Sequence, residues 1–520
     1  MKREIWETVK HYLTPWWEAS VLIVVTLVTR LYLLHVYDVE LSQDGFEAVR
    51  TLTIWQTHGI AALPRELLDR ALLHPLYTLV LGVWRILIPA TLDFYLAARV
   101  LSTLFACIAV VLLFHLTREF FDKPAAWCAA LFLAFAPSFL WESVAILSST
   151  LFFVFYIATL FALARSRYRL AAVLALLGAL VRYEGVVLMA LGVVMLLIRD
   201  VRARRFQRDD WLVLASCVLA FPLTLISASL VATGNPLQFI GAQSMASIWL
   251  RFLAPGDFFK RAAFFITNYP ALLPMGLVGL GVAGAAIALR LHRTRTTLLL
   301  LLTATFYVIF FELLVFFNYT TLETRFLMYP GFALIVFAGV ALSFLWSLVD
   351  RLSTARLTPA VARVATLLAR GAPGILVVTL LVQSYQQGNA GMRFVYNSQI
   401  SMRQMAEEIA AIFPKHQRVN VLAYGGTFGA LSMFARQYDI ELELAEFRFA
   451  PDAHPERYII DHQIQFVIYP VGNAFARAKY PYLARFETHT RGAVTFQPLL
   501  QFATASDNQL YSIWAVTINR

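Results

Sequence analysis

Long apolar runs alternate with short, mostly basic connections from Glu18 almost to residue 390. Runs of roughly 18 or more predominantly apolar residues signal membrane spans. The pattern predicts spans near residues 18–35, 96–115, 124–141, 146–164, 170–181, 186–198, 211–233, 264–291, 297–317, 326–349 and 374–386. One further run, 75–88, is different in kind: it is bounded by Pro75 and Pro89 and contains Arg85. As a helix it would reach roughly 21 Å, against a hydrocarbon thickness of roughly 30 Å. It is expected to lie in, or dip into, the membrane interface rather than cross.

Beyond Gln386 the pattern changes to that of a soluble chain. Met402–Ile412 has helical periodicity. Arg418–Ala423 and Gln465–Tyr469 are short Val/Ile-rich runs that read as buried strands, with a helix near Phe428–Arg436 between them and a last strand at Leu510–Thr517. The fold class is therefore a mainly α, polytopic membrane protein with about eleven transmembrane helices. Interfacial helices occupy its first outer loop, and a small α/β soluble domain follows at the C-terminus. The expected domains are a transmembrane catalytic domain over 1–389, with its first outer loop at 38–95, and an extracytoplasmic domain over 390–520.

Charge sets the orientation. With 59% hydrophobic and 14% charged residues, a soluble enzyme is excluded, and the net charge of +11 takes on a membrane meaning. If the 75–88 run does not cross, one side collects Arg118 and Lys123, then Arg165, Arg167 and Arg169, then Arg199, Arg202, Arg204, Arg205 and Arg208. The same side takes Arg290, Arg293 and Arg295, then Arg351, Arg356, Arg363 and Arg370. Lys2, Arg3 and Lys10 precede the first span, so this side is the cytoplasm by the positive-inside rule. The N-terminus is then inside and the C-terminal domain outside, as in a multi-pass protein of a cell inner membrane. The basic excess is a solvated membrane face and implies no nucleic-acid partner. Cys107, Cys128 and Cys217 lie within apolar runs and offer neither a disulfide framework nor a zinc site.

The same parity gathers polar residues on the outer side. Asp44 opens a segment with helical apolar spacing at Phe46, Val49, Leu52 and Trp55. An acid there either caps a helix or serves as a general base that takes a proton from an attacking hydroxyl. Arg182 and Arg325 sit at outer ends of spans, against the charge bias. Each has an acidic neighbour, Glu184 or Glu323, so a local ion pair competes with a grip on a phosphate at the membrane surface. Arg99 is a further candidate for that phosphate. Glu47, His74, Glu142, Tyr183 and Tyr319 join Glu184 and Glu323 as residues expected around a substrate cavity, His74 also having the plainer reading of a structural residue before Pro75.

Five segments in this order resemble the GT-C superfamily of integral-membrane glycosyltransferases. They are Ser42-Gln43-Asp44-Gly45-Phe46-Glu47-Ala48, His74-Pro75-Leu76-Tyr77, Ala98-Arg99-Val100-Leu101, Leu180-Val181-Arg182-Tyr183-Glu184-Gly185 and Arg325-Phe326-Leu327-Met328-Tyr329-Pro330. The nearest likeness is to bacterial relatives of protein O-mannosyltransferases and of the lipid A aminoarabinose transferase, over about residues 15–390. The resemblance implies a polyprenyl-phosphate sugar donor, inverting transfer on the outer face of the membrane to a protein, lipid or glycan acceptor, and Asp44 as base. Two departures bear on metal. Gly45 stands where many relatives carry a second acid, and Leu147-Ser148-Ser149 offers none where many have one. The sequence therefore assigns no cofactor and gives poor grounds for the divalent metal some relatives hold. Its partners are the lipid-linked donor, an acceptor and membrane lipids. A polytopic transporter of a lipid or small solute is the alternative, but it would place ionisable residues on broken helices in two related halves, and no repeat is visible.

Overall fold

In the computed structural model, residues 2–59, 74–89, 91–237, 272–291, 295–316, 327–353, 359–423, 428–447, 454–504 and 510–519 are described. They form two compact units, Met1–Val36 with Arg50–Gly391, and Tyr37–Val49 with Met392–Arg520.

The first unit is helical. Its elements are α1 (Lys2–Val36), the later turns of α2 (Gln43–His58), α3 (Pro75–Leu87), α4 (Phe94–Phe120), α5 (Lys123–Phe135), α6 (Pro137–Val144) and α7 (Ser148–Ala164). There follow α8 (Tyr168–Val181), α9 (Val186–Ala203), α10 (Arg208–Thr233), α11 (Met275–Leu291), α12 (Arg295–Phe316), α13 (Met328–Ser353) and most of α14 (Pro359–Ala410). Each apolar run expected to cross is helical over most of its described residues. Among those residues, five helices are long and apolar enough to cross a membrane, and six if the bent pair α5–α6 counts as one span. Helices α7, α8 and α11 are shorter, at 17, 14 and 17 residues. The chain is an integral membrane protein. Helix α3 has 13 residues, roughly 20 Å, and one face, Tyr77, Thr78, Leu81 and Gly82, is buried.

Sequence explains most helix ends. Asp93 caps α4 by accepting the Tyr95 and Leu96 N–H groups at 3.2 and 3.3 Å. Asp122 caps α5 by accepting the Ala125 N–H at 2.7 Å, and its other oxygen takes the Ser343 hydroxyl of α13 at 2.6 Å. Helix α13 packs closely on α11: a Cβ on Gly284 would stand 1.8 Å from the Phe337 carbonyl oxygen, and one on Gly281 2.7 Å from that of Leu334. Such approaches of backbone to backbone are how apolar helices associate in lipid.

Two expectations are revised. The run 124–141 is not one straight helix: it breaks at Ala136, and α5 and α6 meet at 59°. Pro137 has no N–H to continue the helical ladder. The basic stretch 351–370, expected as a linker, and the helix expected over 402–412 belong largely to α14, a single helix of 52 residues.

A break inside an apolar protein leaves carbonyl groups that water cannot satisfy. Side chains from two other helices do so here, from α1 at the break and from α4 at the C-terminal end of α6. Arg30 of α1, fully buried, donates from Nη2 to the Ala134 carbonyl and from Nε to the Ser143 hydroxyl at 3.0 Å, with its guanidinium 5.9 Å above the Phe139 ring. Arg99 of α4 donates to the Val144 carbonyl at 2.7 Å, and Thr103 to that of Ser143 at 2.9 Å.

The second unit holds a six-stranded sheet in the order β2-β1-β3-β6-β5-β4. Strands β1 (Arg418–Ala423), β2 (Glu441–Glu446) and β3 (Phe466–Pro470) are parallel, with α15 (Phe428–Arg436) linking the first two. Strands β4 (His489–Arg491), β5 (Val494–Ala503) and β6 (Leu510–Ile518) complete it antiparallel. Its core is aromatic and aliphatic, with Leu422, Phe447, Val467, Tyr480, Phe496 and Trp514 buried. Strands β1, β3 and β6 match expectation. Strand β2 escaped it because Glu-Leu-Glu-Leu-Ala-Glu is poor in β-branched residues and lies at a sheet edge.

Arg30→Leu keeps side-chain bulk but strands the Ala134 carbonyl. The expected loss is about 2–4 kcal/mol, read as a lower Tm of the detergent-solubilised protein. A Tm equal to that of the unaltered chain would show that the break does not need this clasp.

Candidate functional site

In the first unit the candidate residues gather where α8 ends. Val181 is its last residue, and Arg182 leaves it in extended conformation, at φ −150° and ψ 135°. A single 3-10 turn, Tyr183–Gly185, then leads into α9. The turn is tight: a Cβ on Gly185 would stand 2.3 Å from the Ala179 nitrogen. It folds the Glu184 carboxylate back on the Arg182 guanidinium, with both residues buried. Arg182 donates from Nε to Oε1 and Oε2 of Glu184 at 3.1 and 3.2 Å, and from Nη2 to Oε1 at 2.6 Å. Its Nη1 donates to the Ser148 hydroxyl, at the start of α7, at 3.1 Å.

Burial opposes the charged form of Arg182, yet the Glu184 carboxylate outweighs it, so its pKa is pushed well above the ordinary arginine value. The guanidinium stays charged. Tyrosines close the pair off. The Tyr307 hydroxyl of α12 donates to the Glu184 carbonyl at 3.2 Å, and the Tyr156 hydroxyl of α7 to the Tyr329 carbonyl of α13 at 3.0 Å. The Tyr307 ring centroid lies 5.3 Å from that of Tyr329 and 5.5 Å from that of Tyr156. Tyr183 stacks obliquely on Phe310 of α12, centroids 6.4 Å apart.

His74 joins this neighbourhood from before α3. Its Nδ1 lies 2.8 Å from the Val181 carbonyl oxygen; a carbonyl only accepts, so Nδ1 carries the proton. This is structural work, since it satisfies an orphan carbonyl at the end of α8. Glu142 is buried in α6 and accepts the Ser138 hydroxyl at 3.5 Å. Arg99 serves the Val144 carbonyl, as described. The segment from Ser143 to Ser148 is thus held at one end by Arg30, Arg99 and Thr103, and at the other by Arg182.

In the second unit, Asp44 is half-buried in the first turn of α2. The capping side chain is that of Ser42, whose hydroxyl accepts the Gly45 N–H at 3.3 Å. Glu40, buried, accepts the Ser42 N–H at 2.9 Å. Glu47 lies one turn further along the same helix. Arg325, Tyr319 and Glu323 lie outside the described residues.

Sequence reasoning missed Arg30, Ser148 and the three tyrosines. Arg30 carried a signal, a lone charge inside an apolar run; the tyrosines carried none, being scattered over three helices. Among the described residues no cluster of three or more His, Cys, Asp or Glu is placed to hold a metal ion.

No protein-family profile and no curated protein sequence matches the chain. Solved structures do. The oligosaccharyltransferase of Archaeoglobus fulgidus in its apo form superposes with a TM-score of 0.56 at 13% identity, over 87% of this chain and 69% of that one. The same protein, AglB, in complex with an inhibitory peptide and a dolichol-phosphate gives 0.50 at 13% identity, over 86% and 66%. ArnT from Cupriavidus metallidurans bound to undecaprenyl phosphate gives 0.47 at 15% identity, over 97% and 98%. The chain has the GT-C fold.

A buried ion pair is destabilised most when one partner is lost. Glu184→Ala should cost about 3–5 kcal/mol, whereas Arg182→Met with Glu184→Leu should recover most of that. Thermal unfolding of Arg182→Met, Glu184→Leu and the double variant completes the cycle; additive losses would mean the two side chains do not act as a pair.

Proposed function

We propose that this chain is a glycosyltransferase that moves a sugar from a polyprenyl-phosphate donor to an acceptor hydroxyl on the outer face of the membrane, with inversion. The observation that carries the reading is the fold likeness to the archaeal oligosaccharyltransferase, which extends over 87% of this chain and includes a structure holding dolichol-phosphate. The charge asymmetry of the loops supports the outer face, an inner-membrane location and an extracytoplasmic domain over 390–520.

In this reading Asp44 is the general base. The acceptor oxygen attacks the anomeric carbon from the side opposite the phosphate, its proton passes to the Asp44 carboxylate, and the carbon–oxygen bond to the phosphate breaks. Polyprenyl phosphate leaves as a stable anion, so no second carboxylate is needed to protonate it. Ser42 supplies a cap hydroxyl at the start of the helix that carries Asp44. Glu40 orders the turn ahead of the helix through the Ser42 N–H.

Arg182 is the proposed donor-phosphate residue, with Arg325 and Arg99 as further cations. The ion pair and the phosphate role are compatible. A guanidinium carries five N–H donors, and the contacts to Glu184 and Ser148 engage Nε, Nη1 and Nη2 with one hydrogen each among the described residues. Glu184 fixes the plane of the guanidinium, and the remaining hydrogens of Nη1 and Nη2 are the donors that such a role would use. Charge growing on the leaving phosphate would be stabilised there without reorganisation. Glu142, His74, Tyr183, Glu184, Glu47, Tyr319 and Glu323 remain proposed cavity residues. The acceptor is a protein, lipid or glycan, and no metal is invoked.

Asp44→Asn should lower sugar transfer by about 10²–10⁴-fold in proteoliposomes, with Tm unchanged. Wild-type turnover in that variant refutes the assignment, and solute uptake without sugar transfer would favour the transporter. Arg182→Lys keeps the charge but loses the fork, so the donor KM should rise roughly tenfold while the acceptor KM stays put; equal shifts in both would remove Arg182 from the donor side.

A further inference from the structure

Tyr37–Val49, the segment that carries Asp44, belongs to the same compact unit as Met392–Arg520. The contact that joins them is specific. The Tyr396 hydroxyl, on the part of α14 that belongs to this unit, donates to Asp38 Oδ1 at 2.9 Å. The Tyr396 ring meets Tyr37 edge-on, centroids 5.3 Å apart at 64°. Burial first, then the bond to Asp38, pushes the Tyr396 phenol above its ordinary pKa, so it stays a proton donor. From this anchor the chain runs through buried Val39, Glu40, Leu41 and Ser42 to the capped start of α2, and Phe46 and Val49 are buried beyond. Among the described residues of α14, Met392, Met402 and Met405 are buried as well.

We infer that Tyr396 is a positioning residue for Asp44: through Asp38 and Tyr37 it fixes the entry of the 37–46 segment and so the place of the carboxylate. The C-terminal unit is, on this inference, the mount of the catalytic loop and not only a module for the acceptor. The inference rests on the reading of Asp44 as general base. A base acts only when held within hydrogen-bond reach of the attacking hydroxyl, and a displacement of about 1 Å lowers turnover by as much as 10²-fold. The Tyr396–Asp38 bond is suited to that task because only five residues separate Asp38 from Asp44 and both ends of the stretch are tied, one by Tyr396 and one by Ser42.

The experiment uses the full-length protein in proteoliposomes with a polyprenyl-phosphate sugar donor. Tyr396→Phe keeps the ring on Tyr37 and removes only the hydroxyl. It should lower kcat about 10- to 100-fold with little change in donor KM or Tm. Asp38→Ala should match it, the double variant should be no worse than either, and Asp38→Asn, which keeps an acceptor, should restore most of the rate. Hydrogen–deuterium exchange supplies a readout apart from activity: amides of 40–46 should exchange faster in Tyr396→Phe, and those of 97–117 in α4 should not. Wild-type kcat in Tyr396→Phe, additive losses, or unchanged exchange at 40–46 would overturn the inference. If Asp44→Asn is inactive while Tyr396→Phe is normal, the positioning role alone fails. If Asp44→Asn is fully active, the general-base reading has failed, and exchange at 40–46 alone then reports on the anchor.

Discussion

Hydrocarbon solvates no backbone group, and that constraint governs the first unit. A helix that breaks inside an apolar bundle must find donors for its stranded carbonyls among its neighbours. At the break between α5 and α6, Arg30 of α1 reaches the Ala134 carbonyl, and at the C-terminal end of α6, Arg99 and Thr103 of α4 reach those of Val144 and Ser143. Holding a guanidinium in such a place is costly, and the cost is offset because the groups it meets would otherwise be orphaned. The result is a fixed path from Ser143 to Ser148. Ser148 in turn receives Arg182, whose charge is balanced by Glu184. Clasp, path and ion pair form one connected polar thread through an apolar body.

Charge elsewhere is paired just as locally. Arg165 meets Glu119 at 2.7 Å, Arg169 meets Asp210 at 2.9 Å, and Arg199 bridges Asp200 and Asp210. The Tyr168 ring lies under both Arg199 and Arg295, 4.5 and 5.1 Å from their guanidinium carbons. Glu18, buried at the foot of α1, takes Arg118 and Lys123. The net charge of +11 is spread over many short loops, and several of their arginines have acidic or aromatic partners.

Hydrophobic periodicity made the helices legible, because burial in lipid or bundle requires long apolar runs whatever the tertiary detail. It could not show that Pro137 ends a helix, since an apolar run reads the same across a bend. It also read 351–370 as a linker on its arginines, although Ala, Leu and Arg are all good helix formers, and the helix runs on through Pro373. At the candidate site the loop residues were legible as chemistry. Arg182 and Glu184 declared themselves by standing against the charge bias, and Asp44 by its place after the first span. The partners of Arg182 and Glu184 were not, because Ser148 and Tyr307 are ordinary residues brought to them by long-range packing. Strands β1, β3 and β6 were visible in their Val- and Ile-containing runs, whereas β2 and β5 alternate with polar residues and depend on neighbours to be strands.

The account stands or falls on the donor. Native membrane vesicles carrying the protein, supplied with polyprenyl-phosphate hexoses and pentoses, would be assayed by mass spectrometry for released polyprenyl phosphate and by NMR for the anomeric configuration of the product. The account predicts one polyprenyl phosphate released for each new glycosidic bond, and inversion at the anomeric carbon. Retention of configuration, or transfer only from nucleotide sugars, would contradict it.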